Sequence, residues 1–279
     1  MTVYDYFYSA FLVYQTAQPT KRFKAWIAYI NQYPALMNFC LLDYIQDGIS
    51  PRQVGLKKVF TRLVRVDKMI EAYHNIMTIL KNKEALSQKI FLHEPLDLDI
   101  ILYHGLGNGA GTATTLNNRK CLLFGIEKIA ALSWQSKARL RALFIHEYAH
   151  LLHDFLRTDS IEKTYDNTKD NAYYRLYIEG VATYLEDVVA SREVTQTDWY
   201  TRCIKNEQLL KQAFLKTLGQ DGDVTPYFGD WNPPLNIPES AYFMGMQVVS
   251  MMHKTYDIKT IMTLPFTEVK TMINTYFEV

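Results

Sequence analysis

The sequence predicts an α+β fold, and three observations carry that expectation. Apolar residues recur at steps of three and four through residues 1–95, which reads as a helical N-terminal region. The pattern then switches to alternation, with Leu96, Leu98, Ile100 and Leu102 set against Asp97 and Asp99, which is a strand signal. Helical spacing returns after Glu127 and lasts to the end, so residues 96–279 read as a second domain with a small mixed sheet followed mostly by helices.

In chain order, "PTKRFKAWIAYINQY" opens on a proline-threonine start signal and carries Phe23, Trp26, Ile27 and Ile30 on one face. A longer stripe through Leu56, Val59, Phe60, Leu63, Val66, Ile70, Tyr73, Met77 and Leu80 predicts one long helix, uninterrupted by glycine or proline. Its basic residues Lys57, Lys58, Arg62, Arg65 and Lys68 read as the solvated face of that helix. "TATTL" and "KCLLFG" flank Asn117-Asn118-Arg119 and predict a hairpin. Three helices follow, over roughly Ser136–Arg157, Ala172–Ser191 and Asp198–Leu218, with more after Ser240. Between Leu218 and the helices after Ser240, "GQDGDVTPYFGDWNPPLNIPES" has no periodicity and reads as a long ordered loop, either a lid or a plain connection.

Bulk properties narrow the function classes. A hydrophobic fraction of 48% supports a sizeable core, and a net charge of +1 argues against a nucleic-acid binder. Cys40, Cys121 and Cys203 are odd in number and widely spaced, which fits reduced thiols in the cytoplasm. The aromatic N-terminus lacks the basic stretch of a signal peptide. No run reaches the ~18 apolar residues of a membrane span, so no membrane partner is expected.

The chemistry concentrates in "LFIHEYAHLLHDF". His146 and His150 stand four apart, one helical turn, so both imidazoles can reach one metal ion, with Glu147 placed as general base. The surrounding Leu140, Leu143, Phe144, Ile145, Ala149, Leu151, Leu152 and Phe155 would bury this helix. Its polar groups must then be satisfied: Zn2+ ligation does that for the imidazoles, and hydrogen bonds among core residues are the alternative. His153 lies two turns from His146, about 10 Å of rise, too far to share an ion, and reads as a supporting or surface residue. The pattern also lacks the glycine and third histidine of the metzincins, since His153 and Leu156 occupy those places.

A catalytic zinc needs a third protein ligand. Glu179 in "YRLYIEGVATYLED" is the best candidate: it sits mid-helix among Leu176, Ile178, Val181 and Ala182, with Gly180 and Ala182 small enough to let the motif helix approach. Asp154, Glu186 and Asp187 remain alternatives.

"HEYAH" followed by "EGVATY" resembles the gluzincin class of zinc metallopeptidases, and the local Glu-Gly-x-Ala-x-Tyr resembles the ligand helix of its aminopeptidase branch. With "GLGNGAGTA", "LFGIEKIA" and "AYFMGMQVV", residues 100–255 look most like bacterial zinc-dependent proteases of undefined substrate. The resemblance implies a zincin-like fold, a peptide or protein substrate, and hydrolysis by a metal-activated water with Glu147 as base. It also implies Tyr242 as a donor to the oxyanion, with Tyr256 and His253 as lesser options. Two departures stand out. His150 and Glu179 are separated by 179 − 150 − 1 = 28 residues, longer than the gluzincin spacing, and Thr183 stands where thermolysin-like members place an aspartate.

"HGLGNGA" matches a dinucleotide-binding fingerprint, but a hairpin follows where a phosphate-cradling helix should open. In the zincin reading this loop and "KCLLFG" would line a cleft, with that strand as an edge for an extended peptide. Glu127 reads as a helix cap or a contact for a substrate amine. Hydrolysis of a non-peptide amide or ester is an alternative activity of the same site, and a zincin-fold binding protein a further one. The N-terminal helices could engage a protein partner in any of these cases.

Overall fold

The computed structural model describes the chain apart from residues 15–17, 47, 55–64, 92–94, 158–167, 190–193, 195, 221, 231 and 279. Strand β1 (Thr2–Asp5) is followed by helices α1 (Phe7–Tyr14), α2 (Pro19–Ile30), α3 (Pro34–Gln46), α4 (Pro51–Val54), α5 (Val66–Leu80) and α6 (Lys83–Phe91). Strands β2 (Asp99–Tyr103), β3 (Gly111–Leu116) and β4 (Arg119–Gly125) come next. The remainder is helical: α7 (Ile126–Ala131), α8 (Lys137–Leu156), α9 (Thr168–Val189), α10 (Asp198–Lys205), α11 (Glu207–Gly219), α12 (Ser240–Met252), α13 (Ile258–Thr263) and α14 (Phe266–Glu278). The α+β class is as expected. The chain forms two compact units, Met1–Glu147 and Tyr148–Val279, divided within α8.

In the first unit the sheet has the order β1-β2-β4-β3. β1 pairs parallel to β2 and β2 parallel to β4, while β3 returns antiparallel on β4. β4 is therefore paired on both sides, and its Leu122, Leu123 and Phe124 are fully buried. The sheet's two edges are β1 and β3, which corrects the expectation that "KCLLFG" would offer one. The hairpin itself forms as expected: Asn117 and Asn118 take left-handed backbone (φ 48° and 62°), which a two-residue turn of this hand requires. Arg119 then clips the hairpin to β2, donating to Asp97 at 2.7 and 3.1 Å and to Asp99 at 3.0 Å.

The N-terminal region is not wholly helical, because β1 joins the sheet. Its helices grip the loop after β2. The Trp26 indole donates to the His104 carbonyl at 3.0 Å, the His104 N–H to the Tyr29 hydroxyl at 3.3 Å, and the Tyr44 hydroxyl to the Leu106 carbonyl at 3.0 Å. The C-terminal part of the expected long stripe is α5, whose Met69, Ala72, Ile76 and Leu80 are buried. Leu56 to Leu63, with Lys57, Lys58 and Arg62, lie outside the described residues. Arg65 and Lys68 sit at the surface at the start of α5, where Arg65 pairs with Asp67.

In the second unit, the end of α8 packs antiparallel on α9. Arg157 reaches Tyr174 and Tyr177, His153 stands edge-on to Tyr177 at 4.9 Å, and His150 meets Glu179. α12 runs parallel to α9, pairing Gly245 with Gly180 and His253 with Tyr184. The helix expected over Asp198–Leu218 is broken at Asn206, whose φ −115°, ψ 12° is not helical. α11 and α14 close the unit, with Phe214 stacked on Phe277 and the Tyr276 hydroxyl donating to Glu207 at 2.8 Å.

Candidate metal centre

Helix α8 begins where the sequence places it. The Ser136 hydroxyl accepts from the Arg139 N–H at 3.2 Å and caps the first turn. Leu140, Phe144, Ile145, Ala149 and Leu152 are at most 1% exposed, so the helix is buried on most of its circumference. This burial fixes the rotation of the helix and hence the direction of its two histidines.

His146, His150 and Glu179 each offer a ligand atom, and the three atoms lie within 4.8 Å of one another. This is the one such group of three His, Cys, Asp or Glu side chains among the described residues. His150 Nε2 and Glu179 Oε2 are 3.3 Å apart. A tetrahedral zinc with bonds of about 2.0–2.1 Å separates its ligands by about 3.3–3.4 Å, so the pair already stands at ligand spacing. An imidazole–carboxylate hydrogen bond would bring those two together as well, but it gives no reason for a second imidazole to converge on them. Two imidazoles and one carboxylate are the donor set of a catalytic zinc, and the residues fit that ion.

The other candidates fall away on position. Asp154 is exposed and does not join the converging atoms. Glu186 and Asp187 are buried further along α9 and do not join the converging atoms. His153 is neither a surface residue nor an outlying ligand: it is 2% exposed, packed against Tyr177. Burial, reinforced by Arg157 and His150, pushes its imidazole down to about 3, so it is neutral. Thr183, one turn after Glu179, is buried with its hydroxyl outside any hydrogen bond among the described residues.

Glu147 is 8% exposed. Edge strand β3 runs against it: a Cβ placed on Gly111 would stand 2.7 Å from Glu147 Oε1 and 2.9 Å from its Cγ. Only glycine lets the strand lie this close to the carboxylate. The sequence marks Gly111 as one glycine among several in "GLGNGAGTA" and gives no sign that it faces Glu147.

The loop "HGLGN" is shaped from below. Glu127, in the first turn of α7, accepts the Gly105 N–H at 2.7 Å and the Gly107 N–H at 2.9 Å on Oε1. The same oxygen stands 3.6 Å from His104 Nδ1. Burial lowers the His104 imidazole, and the Glu127 charge opposes that shift. Glu127 is therefore a clamp on the loop backbone. With β3 following, the loop opens no helix, in keeping with the rejection of a dinucleotide site.

Tyr242 lies in the first turn of α12, partly exposed, with Phe228 edge-on at 6.3 Å. Because α12 runs parallel to α9 and Gly245 meets Gly180, Tyr242 lies within about a turn of the level of Glu179. His253 and Tyr256 lie beyond the other end of α12, where His253 Nδ1 is 3.0 Å from the Tyr256 carbonyl. Gly180 also differs from expectation. It allows α12, not α8, to approach, since a Cβ there would stand 2.3 Å from the Gly245 carbonyl carbon.

No family model, curated protein or solved structure matches this chain. No helix among the described residues is long and apolar enough to cross a membrane.

Proposed function

We propose that the protein is a cytoplasmic zinc-dependent peptidase with a zincin-like, gluzincin-type site. The reading rests on one observation: His146, His150 and Glu179, from two helices, bring their donor atoms within 4.8 Å of one another beside the buried Glu147. Zinc held by these three residues supplies Lewis acidity, acidifying water toward neutral pH and polarising a carbonyl. The chain's own groups do the rest. A Glu147 carboxylate oxygen takes the proton from the attacking water and delivers it to the departing amide nitrogen. The Tyr242 hydroxyl, on the neighbouring helix, donates to the carbonyl oxygen as charge develops there. Edge strand β3, which passes over Glu147, offers its backbone N–H and C=O groups to an extended peptide, and this would align the scissile bond. The same chemistry serves a non-peptide amide or ester; β3 beside the base favours the peptide.

The test compares the wild type with Glu147→Gln and Glu179→Ala. The wild type should hold one zinc per chain and cleave members of a peptide library. Glu147→Gln should keep the metal and lose about 10²–10⁴-fold in kcat, whereas Glu179→Ala should lose the metal. A wild type without zinc, or Glu147→Gln with full turnover, overturns the proposal.

A further inference from the structure

We infer that Arg175, held against Phe228, is a specificity determinant that binds a substrate carboxylate within about one residue of the scissile bond. The inference rests on the peptidase reading of the same site and names the substrate class. Arg175 precedes Glu179 by four residues on α9, so the two side chains share a face, one turn apart. Its guanidinium carbon lies 4.2 Å from the centre of the Phe228 ring. Phe228 is 4% exposed, while Arg175 is partly exposed. The ring thus lies under the cation and meets the Tyr242 ring at 6.3 Å, the two planes inclined at 62°. A row of Glu179, Arg175, Phe228 and Tyr242 results, from the metal-ligating set to the expected oxyanion donor.

Two features make this an anion site in waiting. Among the described residues, no carboxylate pairs with Arg175 within 4.0 Å. Asp223 is near enough for the cation to help hold its carboxyl down, but its Oδ1 is engaged by the Thr225 N–H at 2.8 Å and by the Thr225 hydroxyl. An aromatic ring offers the guanidinium no hydrogen-bond acceptor in the plane of its N–H donors, and donors left open match a carboxylate in bidentate fashion.

The platform is also tied down by hydrogen bonds. The Glu239 N–H donates to the Gly229 carbonyl at 3.0 Å, the Trp199 indole to the Pro238 carbonyl at 2.7 Å, and Tyr227 meets Thr217 at 3.0 Å. Asn232, Leu235, Asn236 and Glu239 all hold left-handed backbone (φ 47–56°) in this loop, a concentration of strain typical of binding segments. The carboxylate can be an acidic side chain beside the scissile bond or the C-terminal α-carboxylate of a short peptide.

The test uses the full-length, zinc-loaded wild type, Arg175→Gln and Arg175→Lys. Matched blocked peptides differ only in Glu against Gln beside the scissile bond, or in a free against an amidated C-terminus. A charge-assisted bidentate contact should make KM roughly ten- to a hundredfold lower for the carboxylate member of one pair. That ratio should collapse toward one in Arg175→Gln and be partly kept in Arg175→Lys, with zinc content equal in all three. The Glu/Gln arm and the acid/amide arm tell side chain from terminus. Calorimetric binding of the same peptides to Glu147→Gln protein reads the site without turnover. Carboxylate-dependent binding that requires Arg175, in a protein that cleaves no peptide, sinks the peptidase reading and leaves standing only Arg175 as a carboxylate-binding residue. Cleavage without carboxylate preference, or a preference that survives in Arg175→Gln, sinks the inference alone. Neither binding nor cleavage sinks both.

Discussion

Replacing Gly245 with alanine tests how α12 is held to α9. A Cβ at Gly245 would stand 2.1 Å from the Leu176 carbonyl oxygen and 2.8 Å from Gly180 Cα. Both neighbours are backbone, so no side chain can swing away. Relief to even 3.0 Å requires the helices to part by 3.0 − 2.1 = 0.9 Å at the crossing. That separation loosens a crossing whose interiors are otherwise close-packed, and the cost should sit at the upper end of overpacking, about 3 kcal/mol. At roughly 2–4 °C per kcal/mol for a chain of this size, thermal unfolding should fall by about 6–12 °C. Gly219→Ala is the control. It closes α11 with nothing within 4 Å of the added carbon, and should be neutral or slightly stabilising. The assay is thermal and denaturant unfolding of both variants, with zinc binding measured in parallel. Because Glu179 adjoins Gly180, Gly245→Ala should also weaken zinc retention. An unfolding temperature within about 2 °C of the wild type would refute the close crossing, and with it the placement of Tyr242 near the level of Glu179.

Three further expectations follow from particular contacts. Gly111→Ala presses a methyl group into Glu147 and should cost up to about a hundredfold in kcat/KM while zinc stays bound; unchanged peptide turnover would count against β3 lying over the base. Arg157→Gln removes donors to the Leu264 carbonyl at 3.2 Å and the Met262 carbonyl at 3.5 Å, and should lower stability by about 2–4 kcal/mol. Hydrogen exchange of residues 261–264 should accelerate with it, and unchanged protection there argues against the clasp. His153 is held at about 3 when folded, against an ordinary 6.5, so the unfolded chain takes up this proton first as pH falls. Its contribution is therefore present above pH 6.5 and lost between 6.5 and 3. His153→Phe should flatten the stability-versus-pH slope in that window by up to about 1.4 kcal/mol per pH unit, and an unchanged slope rules it out.

The parts of this fold legible in the sequence were those written in local periodicity. α8 and α9 fall within a few residues of their expected bounds because long apolar stripes and the Ser136 cap are local signals. The hairpin was equally legible, since Asn117-Asn118 dictates its turn. The metal-capable group was readable because four-residue spacing on a helix fixes the His146–His150 geometry before any tertiary contact forms. What escaped depends on pairings distant in sequence. β1 is a four-residue segment whose strand character comes from pairing with residues 99–102. Which strand holds the sheet edge, which helix Gly180 faces, and what Glu127 clamps are likewise set by partners 20 or more residues away. The break at Asn206 leaves no mark in the sequence, because apolar spacing continues across it while the backbone turns.

The three cysteines give the chain its own reporters of opening. Cys40 and Cys203 are completely enclosed and Cys121 nearly so, and burial raises all three thiols, Cys203 to about 12. A thiol reagent at neutral pH meets almost no thiolate in the native protein, so labelling is gated by structural opening. Cys40 and Cys121 belong to residues 1–147 and Cys203 to residues 148–279. Mass spectrometry of labelled peptides therefore times the opening of each unit separately, in one tube and without mutation.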